Sequence, residues 1–382
     1  MAEKTVLLVG NGFVRAIGDA LSGDSMLAGE IRNVETLWEE FGRAFGSVGE
    51  SGNPVLARLT ETMNQDPETA LDALQTTVMF IANMTPLDHL WRGLTGGAAW
   101  VGCQTQCLNN LRGMVEQCIY SVIQRFMDAE GSGFYSHVAY AQGESEPLLQ
   151  LRTLVHAFRD DLSIFTTNYD GLCDQLLTCQ DNKYFMGDGF GGYTRRSQDN
   201  SKGIWFDWDG YLDRLSAWGT IAHLHGSYKF AMMADGLPSS GIDCIKLKIA
   251  GYEDFRGNPL SFVPVVVLDA PSAKMTRIQS FPILTAYYNS LRGRLMAARR
   301  IVIWGMSLRN DRHIATAVAE AGAAWPSGEG ELVIIDPAPQ DVLGRIDWPR
   351  SCRLIDPRQH GGDDASLLSV LEEALSGFTP PS

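Results

Sequence analysis

Several short segments carry side chains able to hold a phosphate or a sugar, or to move a proton, and each follows an apolar run. Gly10-Asn11-Gly12-Phe13 comes after Thr5 to Val9. One glycine permits a tight turn there, and the other lets an anionic pyrophosphate approach the backbone where a helix begins. The third glycine of a full G-x-G-x-x-G is missing, since Arg15 stands in its place, so a plain βα turn also accounts for the segment. Phe165-Thr166-Thr167-Asn168-Tyr169-Asp170 gathers polar groups after a second apolar run, where they can face a ligand; the competing reading has Thr167 or Asn168 capping a helix whose dipole Asp170 favours. His223-Leu224-His225-Gly226 offers two imidazoles that share a face if the strand continues through them. They suit proton transfer, a two-histidine metal site or a satisfied core, and Gly226 suggests close approach of a ligand to the backbone. Trp304-Gly305-Met306-Ser307-Leu308 places a glycine and a hydroxyl where a phosphate or ribose could sit, or forms a simple loop with Asp311 as helix cap. Asp336 ends a further apolar run, where a carboxylate can accept from ribose hydroxyls.

Positioning these groups requires strands that end at them. Apolar runs of four to seven residues at Thr5–Val9, Leu162–Thr166, the stretch into His223, Phe262–Leu268, Ile301–Trp304 and Leu332–Ile335, and the shorter Arg353–Ile355, read as buried strands. Helical stretches are expected over about Phe13–Leu21, Leu148–Phe158, Tyr169–Leu177, Pro282–Arg299, Arg312–Ala321 and Asp364–Leu375, with Asp181–Lys202 a long loop. The alternation predicts an α/β fold, a Rossmann-like, mostly parallel sheet with helices on both faces. Between these parts, residues 34–140 carry helical periodicity, most clearly Leu108, Leu111, Val115, Cys118, Ile119, Val122 and Phe126. We read 1–33 and 141–382 as one domain interrupted by a helical insertion at 34–140. Such an insertion is expected to border the ligand edge and to mediate self-association or partner contacts.

The 382 residues carry a formal net charge of −14, which argues against broad binding to nucleic acid or anionic membrane. An acidic chain can still hold phosphate on backbone N–H groups. No apolar run approaches the ~18 residues of a membrane span, and Thr5–Val9 is too short for a secretion signal, so a cytoplasmic location is expected. The seven cysteines are scattered and never spaced C-x-x-C; Cys103 and Cys107 find no second pair. Reduced thiols and no bound metal are expected.

In this order the segments resemble the sirtuin-like superfamily, through its G-x-G start, T-x-N-x-D element, His-Gly, G-x-S-L and later strand-end acid. Most likeness is to a bacterial family of unknown function with an L-G-N-G-F-S start, F-T-T-N-Y-D, L-H-G and G-x-S-x-x-x-D-x-H-I; Phe165–Asp170, Leu224–Gly226 and Gly305–Ile314 match it. Two departures stand out: Val14 replaces the serine after Gly-Asn-Gly-Phe, and only Cys244 lies between Gly226 and Ser261, where deacylating sirtuins carry a zinc ribbon. The resemblance implies NAD as ligand, bound through Gly10, Asn11, Gly12, Phe13, Thr166, Thr167, Gly305, Ser307 and Asp336. It gives Asn168 the nicotinamide-side ribose and a water, His225 the role of general base, and Asp170 that of orienting its neighbours. Gly10, Gly12 and Ser307 would hold pyrophosphate, and a valine at position 12 would block it. The implied activity is that of an NAD glycohydrolase, and the implied setting is antiphage defence by abortive infection. Alternatives are a non-catalytic NAD or ADP-ribose sensor, a subunit of a defence complex and, less in keeping with the missing ribbon, a protein deacylase. Implied partners are NAD or ADP-ribose and either a second copy of the chain or a defence-system protein.

Overall fold

The computed structural model describes residues 4–10, 12–13, 146–168, 173–174, 177, 179–180, 183–184, 186–190, 203–208, 218–233, 244–247, 262–267, 274–326, 329–360, 369–370 and 373–374. By contacts the chain divides into two units, one of Met1–Asn33, Met127–Val267 and Met275–Ser382, the other of Val34–Phe126 and Leu268–Lys274. The expected helical insertion at 34–140 and the helix expected after Phe13 lie outside the described residues, as do Asn11 and Asp170.

In chain order the elements are β1 (Thr5–Val9), α1 (Glu146–Phe158), β2 (Leu162–Thr166), β3 (Cys179–Gln180), β4 (Lys183–Tyr184), β5 (Gly203–Trp205) and β6 (Thr220–His223). There follow β7 (Gly226–Met233), β8 (Cys244–Leu247), β9 (Phe262–Val266), α2 (Lys274–Ser280), α3 (Pro282–Ala297) and β10 (Arg300–Trp304). The last are α4 (Arg312–Ala324), β11 (Glu331–Ile335), α5 (Pro339–Leu343) and β12 (Cys352–Ile355). Six of the strands form one sheet in the order β12-β11-β10-β1-β2-β6, and every pairing in it is parallel. This is an α/β, Rossmann-like fold. Every residue of β1, β2, β6 and β10 is buried. Successive strand residues point to opposite faces, so both faces of the sheet centre are covered. Fully burying a Val, Leu or Ile is favourable by ~1.5–3 kcal/mol, which is why apolar runs such as Val6-Leu7-Leu8-Val9 settle here and not at an edge.

One expected strand joins a different sheet. Phe262–Val266 pairs antiparallel with β7, in a four-stranded sheet of order β5-β8-β7-β9. Strands β5, β7 and β8 escaped the sequence reading because Ser227 and Lys229 break the apolar run of β7, and β5 is three residues long. The excursion expected at Asp181–Lys202 includes the short β4, antiparallel to β3.

Helix α3 begins with Pro282, whose fixed φ and missing N–H suit a first helical position. Along α4, Ile314, Ala315, Ala317, Val318, Ala321 and Gly322 are buried at helical spacing. Its N-cap residue, Asp311, makes no side-chain capping bond. Such a bond contributes ~0.5–2 kcal/mol where it forms, so this carboxylate is held elsewhere.

The chain moves outward from β1 through β2 to β6, then returns to the other side of β1 with β10, β11 and β12. The order therefore reverses between β1 and β10, and the crevice outside the carboxyl ends of such strands is where open α/β sheets bind ligands. Gly10 and Gly12 leave β1 at this point, and Gly305 leaves β10. A Cβ on Gly12 would lie 2.7 Å from the Gly305 Cα, and one on Gly10 would lie 2.5 Å from the Gly305 oxygen. Gly305 itself has φ of 62°, a left-handed conformation that glycine adopts without steric cost. Gly12→Ala is therefore expected to destabilise the fold by ~1–3 kcal/mol through overpacking. Urea unfolding checks this; an unchanged midpoint would show that the two loops part easily.

Candidate functional site

The strand-end segments gather along one edge of the parallel sheet, and their contacts divide the expected site residues into two groups. The first group is spent on internal structure. Gly10 N–H donates to Trp304 O at 3.0 Å, Gly12 N–H to Gly305 O at 2.9 Å and Phe13 N–H to Gly10 O at 3.1 Å. The amides expected to cradle pyrophosphate thus already have acceptors. Phe13 is fully buried, edge-on to Trp304 with ring centroids 4.8 Å apart. Gly305 N–H donates to Ile335 O. Thr166 is buried, and its Oγ1 accepts from Asn168 N–H at 3.0 Å and lies 3.5 Å from Cys173 Sγ. A valine at position 12 meets the Gly305 backbone, so that substitution tests packing and not ligand access. Gly226, read as a sign of ligand approach, has φ of 80°, and a Cβ there would lie 1.9 Å from Val265 O. The neighbour that requires glycine at this position is the backbone of β9.

The second group presents chemistry. Asn168 follows β2 and is buried, with its Nδ2 3.6 Å from Cys173 Sγ. Thr167 is half-buried and ties its N–H to Val9 O. Ser307 is exposed; its Oγ accepts from Arg309 N–H at 3.4 Å, and Arg345 donates to its carbonyl at 2.6 Å. Asp336 is half-buried, and its Oδ1 accepts from Ala338 N–H at 2.9 Å. Between Ser307 and α4, Leu308 holds φ of 55° although it is not glycine. A left-handed residue with a side chain costs roughly 1–2 kcal/mol and persists only where its surroundings enforce it; here Leu308 is buried.

The two histidines do not share a face. Strand β6 ends at His223, and a turn at Leu224-His225 leads into β7. His223 faces the β2 side: its Nε2 lies 2.8 Å from Asp174 Oδ2, and its Nδ1 lies 3.2 Å from Asn168 O. Burial alone would lower the His223 pKa, but Asp174 reverses that and raises it. Burial likewise works to raise the Asp174 carboxyl, yet His223 and the nearby Lys246 hold it well below the usual carboxylate range. Lys246 in turn pairs with Asp188 at 2.5 Å. An ion pair with both partners buried thus holds the backbone carbonyl of Asn168.

His225 turns instead to the loop after β10. Its Nε2 lies 3.2 Å from Asp311 Oδ1, without the alignment of a hydrogen bond. This is where the carboxylate that does not cap α4 has gone. His313 stands beside the pair, its ring centroid 6.3 Å from that of His225 and its Nε2 2.5 Å from the Tyr288 hydroxyl. Burial and then Asp311 push the Tyr288 phenol well above its ordinary value, so it remains a hydroxyl.

In the sequence Asp311 reads as a cap, and His313, Tyr288, Asp174 and Cys173 do not stand out as site residues. A signal for His313 was available: with Asp311 it belongs to the G-x-S-x-x-x-D-x-H-I segment. Nothing local pointed to Asp174, because its partner lies 49 residues away. Among the described residues, Cys173, Cys244 and Cys352 form no disulfide. No helix among the described residues is long and apolar enough to cross a membrane. Compared with protein-family models and with curated proteins, the chain matches none.

Proposed function

We propose that the chain binds NAD at the carboxyl edge of its parallel sheet and cleaves it to nicotinamide and ADP-ribose. The observation that carries this reading is the placement of Asn168 and His225. They follow β2 and β6, neighbouring parallel strands, both are buried, and the imidazole of His225 meets a carboxylate. A base oriented by an acid is the arrangement proton-transfer chemistry requires. In the reaction the bond from nicotinamide nitrogen to ribose C1′ breaks, and its electron pair leaves with nicotinamide. A water oxygen bonds to C1′, and His225 takes the proton. Asn168 orients the ribose and that water, and Asp311 holds the imidazole. Ser307 and Asp336 remain as the polar groups for phosphate and ribose, because the amides of Gly10, Gly12 and Phe13 are already bonded. The strained turn at Leu308 supports a functional role for the loop that carries Ser307 and Asp311, since such strain concentrates at ligand sites.

A second reading, an NAD or ADP-ribose sensor without turnover, is favoured by one contact. The Asn168 carboxamide donates to Cys173 Sγ instead of standing open. A single experiment separates the two. Purified protein is incubated with NAD, alone and with candidate triggers of antiphage defence, and free nicotinamide and ADP-ribose are followed. Release of both in equal amounts supports the hydrolase. Tight NAD binding with no nicotinamide under any condition supports the sensor, and no binding at all overturns both.

A further inference from the structure

We infer that His225, Asp311 and His313 form a binding site for a divalent transition metal of the zinc type. One ligand atom from each lies within 4.8 Å of the others. Two imidazoles and one carboxylate make a donor set that zinc favours, and three protein ligands leave a fourth position open. With metal–ligand bonds of about 2.0–2.2 Å, ligand atoms around tetrahedral zinc stand roughly 3.3–3.6 Å apart. The 3.2 Å between His225 Nε2 and Asp311 Oδ1 is already close to such an edge.

Two further observations point to a ligand at this place. His225 is 2% exposed, and its Nε2 is buried without a hydrogen-bond partner. A buried imidazole nitrogen without a hydrogen bond is costly, and a cation bound there would satisfy it. The second is the Tyr288 hydroxyl on His313, the kind of outer contact that fixes the rings of metal-ligating histidines. The site is legible only in three dimensions. His225 comes from the turn after β6, while Asp311 and His313 stand at the start of α4, so no local spacing announces it.

A consequence follows that rests on the function proposed above. An imidazole nitrogen bonded to zinc cannot take up a proton, so the metal would inhibit NAD cleavage by occupying His225.

The test uses the full chain, stripped with a chelator, desalted and titrated with zinc against a chromophoric competitor. One zinc per chain is expected. Asp311→Asn and His313→Ala, both at half-buried positions, should weaken uptake more than tenfold. Tyr288→Phe should weaken it about tenfold, the lower end of outer-contact effects of ~10–100-fold. His156→Ala, a histidine on α1, should leave it unchanged. Cobalt(II) in place of zinc should show visible bands without a thiolate charge-transfer band. Absence of stoichiometric uptake by the wild-type chain would overturn the site, and so would equal uptake by Asp311→Asn and His313→Ala, or a thiolate band placing the metal on cysteine. Because binding is read without NAD, the two proposals fail separately. Zinc uptake with no cleavage of NAD by the chelator-stripped chain leaves the metal site and removes the hydrolase. Cleavage of NAD without zinc uptake does the reverse.

Discussion

His225→Ala is expected to slow nicotinamide release by ~10²–10⁴-fold while NAD still binds, because the substitution removes a proton acceptor and leaves Ser307 and Asp336 in place. Steady-state nicotinamide release gives the rate, and calorimetry or fluorescence with NAD gives the affinity. The assay includes a chelator, so that loss of rate reports the imidazole and not a metal bound to it. Asn168→Ala should also abolish cleavage and should weaken binding by about 0.5–1.5 kcal/mol, the net value of one hydrogen bond to the ribose. Asp311→Asn separates orientation from proton transfer: it keeps the shape but removes the charge facing His225, and a smaller loss than that of His225→Ala is expected. If His225→Ala cleaves NAD as fast as the wild type, the assignment of the base is wrong. If His225→Ala loses affinity as completely as rate, the residue binds and does not catalyse.

The second large effect concerns stability. Asp174→Ala leaves the buried His223 without its carboxylate, and breaking a buried pair from one side typically costs ~3–5 kcal/mol. The pH dependence has a definite sense. Asp174 titrates below its ordinary 3.8, so its contribution is present above that value and is lost as pH falls through the folded one. His223 titrates above its ordinary 6.5, so its contribution is complete below that value and is lost as pH rises through the raised one. The gap between wild type and Asp174→Ala should therefore be widest between these limits, in mildly acid solution, and should narrow on the alkaline side. Denaturant unfolding of both proteins across that range is the measurement. A gap that stays constant with pH would mean that packing, not charge, is what Asp174 contributes. Because His223 also meets the Asn168 carbonyl, Asp174→Ala should lower the NAD-cleavage rate at temperatures where the variant remains folded.

These two predictions mark the line between local and tertiary information. The strands of the parallel sheet were legible because runs such as Val6–Val9 and Ile301–Trp304 are apolar at every position, which only a strand covered on both faces tolerates. The edge on which the polar segments gather was legible for the same reason: in parallel βα units each strand's carboxyl end opens into a loop on one side of the sheet. The antiparallel sheet was not, since β7 interleaves Ser227 and Lys229 with its apolar residues and β5 is too short to show a period. The glycines were legible as places of close approach, but not what approaches. At Gly12 the neighbour is the Gly305 loop, and at Gly226 it is the Val265 carbonyl. Each is a backbone brought there from a distant part of the chain.

The histidines show the limit most clearly. By itself, the sequence determined that two imidazoles two residues apart would stand at a strand end, on the same edge of the sheet as the asparagine that follows another strand. Their separate partners were decided by the tertiary structure. The strand stops at His223, and the turn at Leu224 and His225 sends one ring toward Asp174 and the other toward Asp311 and His313. Ion pairing and metal ligation act over a few ångströms whatever the separation along the chain, so their partners exist only once the sheet order has brought β2, β6 and β10 to a common edge.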